Sequence, residues 1–349
     1  MKKKYSSISV IILNYNGEKF LENCLKSVLD TDYPNFEVIV VDNNSKDRSI
    51  EIINGVKPFF EAKNIPFVIV KNSKNLGFAE GNNVGARFAK GDYIYLLNND
   101  TLVDKHWLNE LVKILDNDTE VGAAQSKILS MQNSNHLSTQ IDCAGGFINP
   151  YGFAIERGFM DEDRGQYNKI EDIFYAKGAA AVFRKDLFHY LGGLDPNYFF
   201  YYEEVDFSWK IMLVGYRVVF VPNSVIYHMG GASAKKVPSL SKFHHDKNRI
   251  CTLIKNYNCY NLIKYLGFLI FLEFLHMFYY IFIKKLEHSE RLKLAKAIFK
   301  AMIWNLLNLK STLFKRREVQ HNFRRVPDKN IFKVIIKTRP LYPFQKYKL

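Results

Sequence analysis

Two groups of polar and acidic residues have the types and spacing to do chemistry. One is Asn98-Asn99-Asp100, directly after the apolar run Tyr93 to Leu97. That run reads as a strand buried on both faces, and a carboxylate at such an edge can hold a hard divalent cation bridging two phosphates. Two earlier strand-like runs also end in short polar clusters, Asn14/Asn16 after Leu13 and Asp42/Asn43/Asn44. Asp42 has the acceptor needed for the imide N–H of a uracil or thymine base. The other group is Glu203-Glu204-Val205-Asp206. Carboxylates this close repel one another, which raises the pKa of at least one and suits it to take a proton as a general base. Each group also has an ordinary structural reading, as polar turns after strands or as acidic residues at a helix N-terminus.

The elements that must position these residues alternate. Ser9 to Leu13 predicts a strand, and Phe20, Leu21, Leu25, Val28 and Leu29 fall at helical spacing after it. Phe36 to Val41 predicts a second strand, with Ser45 or Asp47 placed to cap the helix that follows. A third strand is expected over Phe67 to Lys71, a helix over about Ala79 to Ala89, and a fourth strand from Tyr93. This rhythm predicts an α/β fold with a mostly parallel sheet between helices, whose ligands sit beyond the carboxyl ends of the strands. Gly77, Gly81 and Gly85 permit close backbone approach near a helix N-terminus, which favours a phosphate. Their spacing is not GxGxxG and no GxxxxGK[ST] occurs, which speaks against a dinucleotide enzyme or a P-loop NTPase.

The 349 residues carry a formal net charge of +14, unevenly spread. From Lys235 to the end there are 25 basic and 6 acidic residues, against 24 and 29 before it. The basic part is rich in Leu, Ile and Phe, which points to an anionic membrane surface and not to nucleic acid. Tyr265 to Ile283 is a mostly apolar run interrupted by Glu273 and His276 and closed by Lys284-Lys285. Its length is marginal for spanning a bilayer. It and Leu292 to Phe314 read as helices at a membrane interface or as a helical subdomain packed on the core. The tail from Val326, with Pro327, Pro340 and Pro343, reads as partly extended. Four scattered cysteines fit no disulfide framework or zinc site. The apolar run Ile8 to Leu13 is too short for a signal-peptide core.

SVIILNYNGEKFLENCLKSVL, FEVIVVDNNSKDRS, NLGFAEGNNVGARFAKGDYIYLLNNDT and GAAAVFRKDLFHYLGGLDPNYFFYYEEVDFSWKIMLVGYRVVFVPNSVIYH resemble the family 2 glycosyltransferases. The similarity covers roughly residues 7 to 260 and is to the rhamnosyltransferase-like branch, which builds bacterial surface polysaccharides. It implies a GT-A (nucleotide-diphospho-sugar transferase) fold with a catalytic domain over 1–250, divided into a nucleotide-sugar half (1–104) and an acceptor half (105–250). A basic, apolar helical region, 251–349, would follow. Leu13, Asn14, Asn16, Asp42, Asn44, Asn75, Gly77, Asn82, Asn98 and Asn99 would line the nucleotide-sugar site. Asp100 and His228 would hold Mg²⁺ or Mn²⁺, with Asn98 standing where the family usually has an acid. Glu204, Glu203 and Asp206 match the motif that supplies the catalytic base, with Glu204 at the base position and Glu203 the alternative. The resemblance implies an inverting transfer from a dTDP- or UDP-sugar, with dTDP-rhamnose the leading donor, to a saccharide or lipid-linked saccharide. The place would be the cytoplasmic face of the cell membrane. A UDP-hexose transferase or a non-catalytic scaffold of the same fold are the alternatives.

Overall fold

The computed structural model describes residues 5–133, 136–230, 237–283 and 286–336. Lys284, Lys285, Pro340 and Pro343 lie outside them. In chain order the first half comprises β1 (Ile8–Asn14), α1 (Leu21–Leu29), β2 (Phe36–Asp42), α2 (Ser49–Ala62), β3 (Phe67–Lys71), α3 (Gly77–Ala86), β4 (Tyr93–Asn98), β5 (Thr101–Val103) and α4 (Trp107–Asn117). The middle comprises β6 (Val121–Asn133), β7 (His136–Cys143), β8 (Gly146–Ile148), β9 (Ala154–Glu156), β10 (Glu171–Asp172), β11 (Ala180–Arg184) and α5 (Lys185–Tyr190). Then come α6 (Glu203–Leu213), β12 (Arg217–His228), α7 (Pro238–Asn256), α8 (Cys259–Phe278), α9 (His288–Leu307), α10 (Leu309–Glu318) and α11 (Asp328–Ile331).

The first four strands behave as their composition requires. β2 is buried along its whole length and β1 and β4 nearly so, which is why they read as continuous apolar runs rather than alternating ones. Helix α1 buries Leu21, Cys24, Leu25 and Val28, the i, i+3, i+4, i+7 set of one helical face. At α2, Asp47 Oδ1 accepts from the Ser49 amide at 3.1 Å, while Ser45 turns away to Asp42.

The main sheet runs β10-β12-β6-β11-β4-β1-β2-β3, with β5 on β12 and β7 on β6. The β4-β1-β2-β3 half is parallel, as expected. The other half is mixed: β11 lies antiparallel to both β4 and β6, whereas β12 is parallel to β6. The sheet as a whole is therefore mixed, because β11 enters next to β4 from the opposite end. This insertion brings the segment before β11 and the end of β12 to the carboxyl edge of β4. The expected boundary at residue 250 falls inside α7, and Val319, Phe323, Ile331 and Ile335 share one core cluster with Ile11 and Ile39. The C-terminal helices are thus packed on the catalytic fold, and the early tail includes the short α11, the rest of the tail beyond residue 336 lying outside the described residues.

Candidate active site

At the carboxyl edge of β1, β2 and β4 the polar side chains form one connected rim. Asn99 Nδ2 donates to Asn14 Oδ1 at 2.7 Å, and Asn14 Nδ2 donates to Asp42 Oδ1 at 3.1 Å. Asp42 is buried and also accepts from the hydroxyl and amide of Ser45, at 2.6 and 3.0 Å. Asn16 and Asn44 sit at the turns with φ of 51° and 65°, a left-handed conformation that Asn tolerates better than most residues. Their side chains hold Lys46, through its amide and its ammonium respectively. Asn43 is buried and ties down the loop after β3: its amide donates to Asn75 Oδ1 and the Gly77 carbonyl and accepts from Asn72 and Leu76.

The three glycines have a different reason from the one the sequence suggests. A Cβ on Gly81 would stand 2.5 Å from a Leu13 methyl, one on Gly85 2.5 Å from Ile11, and one on Gly77 2.5 Å from the Phe199 carbonyl. Close approach is needed, but to β1 and to the Phe199 loop, and no phosphate role is required to explain it. Leu13 accordingly packs on Gly81, and Asn82 is buried with its amide bonded back to the Phe78 carbonyl at 2.9 Å.

Beyond β4 runs a row of charges of alternating sign. His228 Nε2 lies 3.3 Å from Asp100 Oδ1, and its Nδ1 lies 2.8 Å from Asp142 Oδ2. Asp142 Oδ2 accepts from Lys177 Nζ at 3.0 Å, and Lys177 reaches Glu156 Oε1 at 2.9 Å. Burial alone would push the His228 pKa down, but the carboxylates of Asp100 and Asp142 outweigh it and raise it to about 9. Burial opposes ionisation of Asp100, yet His228 holds its carboxyl below the usual range. Asn98 Nδ2 completes the corner, 3.4 Å from His228 Nε2.

Among the described residues no group of three or more His, Cys, Asp or Glu side chains is arranged to hold a metal by itself. Asp100 offers one ionised oxygen donor, and His228 offers one imidazole nitrogen once Nε2 gives up its proton, with Asp142 fixing the ring from behind. That set fits a cation which takes its remaining ligands from substrate phosphates and water, the usual habit of Mg²⁺.

The carboxylates of α6 diverge. With 3.6 residues per turn, Glu204 and Asp206 point about 160° apart, and Glu203 stands between them on the Asp206 side. Asp206 is fully buried with both oxygens taken, by Lys255 Nζ at 2.8 Å and Asn256 Nδ2 at 2.7 Å. It braces α6 on α7, away from the crevice, which corrects its expected place among the catalytic acids. Glu203 is buried, and its pKa is raised by burial and by Glu204, with Lys247 of α7 opposing. Glu204 lies on the other side, beside Glu156 and Lys177. Burial, with help from Glu156, pushes its carboxyl up to about 7. Glu203 Oε2 and Glu204 Oε2 are both buried and have no hydrogen-bond partner among the described residues. A buried acceptor in that state is costly unless something else supplies the hydrogen.

A strained strap delivers α6 to this position. Phe199, Tyr201 and Tyr202 have φ of 65°, 67° and 68°, a region that aromatic residues rarely occupy. Asn248 of α7 donates from one amide nitrogen to the carbonyls of Tyr198, Phe200 and Tyr201, at 3.0, 3.0 and 2.7 Å. The Phe199 carbonyl accepts from the Phe78 and Ala79 amides of α3. Helices α3 and α6 are thus tied through residues 199–202. His244 packs in a tilted contact on Phe200 and His245 stacks on Tyr201, at 4.5 and 4.0 Å between ring centroids. Arg157 is held within the protein. It is enclosed by the rings of Phe147, Tyr167 and Phe220 and paired with Glu171.

Sequence reasoning missed Asp142, Lys177 as an ion, Glu156 and Asn248. None is marked by local spacing; each acquires its role through a partner distant in sequence.

Comparison with known proteins gives the family and the fold. The profile described as glycosyl transferase family 2 matches residues 9–192. Poly-beta-1,6-N-acetyl-D-glucosamine synthase of Staphylococcus aureus is 26% identical over 218 residues, covering 62% of this chain and 48% of that protein. The chain therefore spans about half the length of the curated relatives it matches. Among solved structures, S. aureus TarS in complex with UDP superposes with a TM-score of 0.55 at 16% identity, covering 84% of this chain and 80% of that one. The mannosyltransferase PcManGT of Pyrobaculum calidifontis, in complex with GDP-Man and Mn²⁺, gives 0.54 at 17% identity, with 87% and 88% covered. At these identities the likeness is one of fold.

Proposed function

The chain belongs to glycosyl transferase family 2, and from that premise we propose that it moves a sugar from a pyrimidine nucleoside diphosphate to a saccharide acceptor, with inversion. The observation that carries this reading is the half-buried Glu204 carboxyl with a partnerless oxygen, beside the row that leads through Lys177 to His228 and Asp100.

The chemistry follows from that placement. An acceptor hydroxyl attacks the anomeric carbon as the bond to the diphosphate oxygen breaks, and its proton passes to Glu204 Oε2. Glu203 faces Lys247 and α7, which supports Glu204 over Glu203 as the base. Asp42 and the Asn14–Asn99 rim would orient the base and ribose. Asp100 and His228 would hold a divalent cation, which when bound offsets the charge of the departing diphosphate. Phe199, Phe200 and Tyr201 would keep water from the acceptor side.

For the sugar, the sequence resemblance favours rhamnose from dTDP-rhamnose, whereas the similar poly-beta-1,6-N-acetyl-D-glucosamine synthase and TarS, the latter solved with UDP-GlcNAc, favour N-acetylglucosamine from UDP. Both share the imide N–H that Asp42 would accept. The acceptor is proposed to be a growing cell-envelope polysaccharide, carried on lipid at the inner face of the membrane. A scaffold without catalysis gains nothing from a raised carboxyl with one buried oxygen left unbonded. The test is calorimetric titration of the chain with UDP, dTDP, GDP, UDP-N-acetylglucosamine and dTDP-rhamnose, with Mn²⁺ and with a chelator. Metal-dependent binding of UDP or dTDP and weaker binding of GDP is the expected result. Absence of binding by every nucleotide refutes the donor site.

A further inference from the structure

The C-terminal helices leave a large apolar surface uncovered. On α8 and the π-turn that extends it to Ile283, Ile263, Phe271, Phe274, Phe278 and Phe282 are exposed and share one stripe, about 28 Å long at 1.5 Å per residue. The opposite stripe is fixed to the protein. Leu269, Leu272, Glu273 and His276 are buried, and Glu273 pairs with Arg249 of α7, which also holds Asp246. Helix α9 packs alongside through Ala295 and Ile298 against Tyr280. Its exposed residues mix Leu292, Phe299 and Ile303 with Lys293, Lys296 and Lys300.

A soluble monomer rarely shows an apolar surface of this extent without a partner. The charge identifies the partner: the region from Lys235 onward carries 25 basic and 6 acidic residues. By length and composition α8 could cross a bilayer. Its packing says otherwise, because a crossing α8 would draw α9 and its lysines into the hydrocarbon, where each costs about 2.5–3.5 kcal/mol at the centre.

We propose that α8 and α9 dock flat on an anionic lipid bilayer. The Phe271–Phe274–Phe278 stripe would sit among the acyl chains, the α9 lysines at the headgroup phosphates, and no part of α8 would cross. The lipid-linked acceptor gives this docking a purpose but is not its evidence, and a chain that binds no nucleotide can still bind vesicles.

The test is flotation of the full chain with phosphatidylcholine vesicles and with vesicles containing 30% phosphatidylglycerol, followed by alkaline carbonate extraction. Binding to the anionic vesicles is expected, with release by carbonate. Replacing Phe271, Phe274 and Phe278 together by Ser should weaken binding about tenfold or more, because these exposed side chains support little of the fold. Resistance to carbonate means that α8 spans, and overturns the proposal. So does unchanged binding by the triple variant. Failure of the wild-type chain to float overturns it as well. If concentration-dependent dimerisation is then seen and the triple variant abolishes it, the face belongs to a second copy.

Discussion

Replacing Glu204 by Gln separates the chemical role of the carboxyl from its structural cost. The group ionises near 4.5 when unperturbed and at about 7 in the folded chain, burial being the main cause. Below pH 4.5 it is protonated in both states and contributes no pH dependence. As pH rises from there to about 7, the unfolded chain gives up this proton while the folded chain retains it, so stability falls. Above about 7 the loss is complete, and the gap between the two values corresponds to up to about 3 kcal/mol. Gln is neutral throughout and avoids that loss. The variant should therefore match the wild type near pH 4.5 and exceed it at pH 8 by up to about 3 kcal/mol, measured by urea unfolding at both pH values. Turnover should move the other way, falling about 10²–10⁴-fold, with the rise of wild-type activity through pH 7 absent from what remains. A variant less stable than wild type at pH 8, or displaced equally at both pH values, would refute the assignment of a buried carboxyl with a raised pKa.

Three further outcomes are expected. Asp142→Asn should weaken Mn²⁺-dependent UDP binding about 10–100-fold in calorimetry while leaving metal-free UDP binding unchanged, since it frees the ring that Asp142 fixes; equal loss in both would mean a general defect. Lys177→Met leaves the Asp142 and Glu156 carboxylates facing each other without their cation and should destabilise the fold by about 3–5 kcal/mol in denaturant titration, with Lys177→Arg recovering part. A neutral effect would show that the row carries little energy. Asn248→Ala removes the donors to three strap carbonyls and should reduce turnover about 100-fold with nucleotide affinity retained; full turnover would show that the strap holds itself.

The donor half of the fold was legible because its strands are buried on both faces and its helices on one, so local periodicity carries the information. The mixed half was not, because nothing local tells β11 to run against β4 rather than with it. The same distinction applies to the site. Asp42, Asp100 and Glu204 stand at element ends, where turn chemistry marks them. Lys177 meets Asp142 across 35 residues of chain, and in sequence it is only a lysine before a run of small residues. Asp206 misleads for a geometric reason: acids that are neighbours in sequence point in different directions once the segment is a helix.

The strap has a consequence for how the chain acquires its site during synthesis. Every strand of the sheet ends at or before His228, whereas the amide that clamps Phe199–Tyr202 belongs to Asn248. A nascent chain can therefore assemble the sheet and its polar rim before the residue that holds the strap ahead of Glu204 has left the ribosome. The rim would be in place first, and the Glu204 carboxyl would be set only once α7 folds onto the strap.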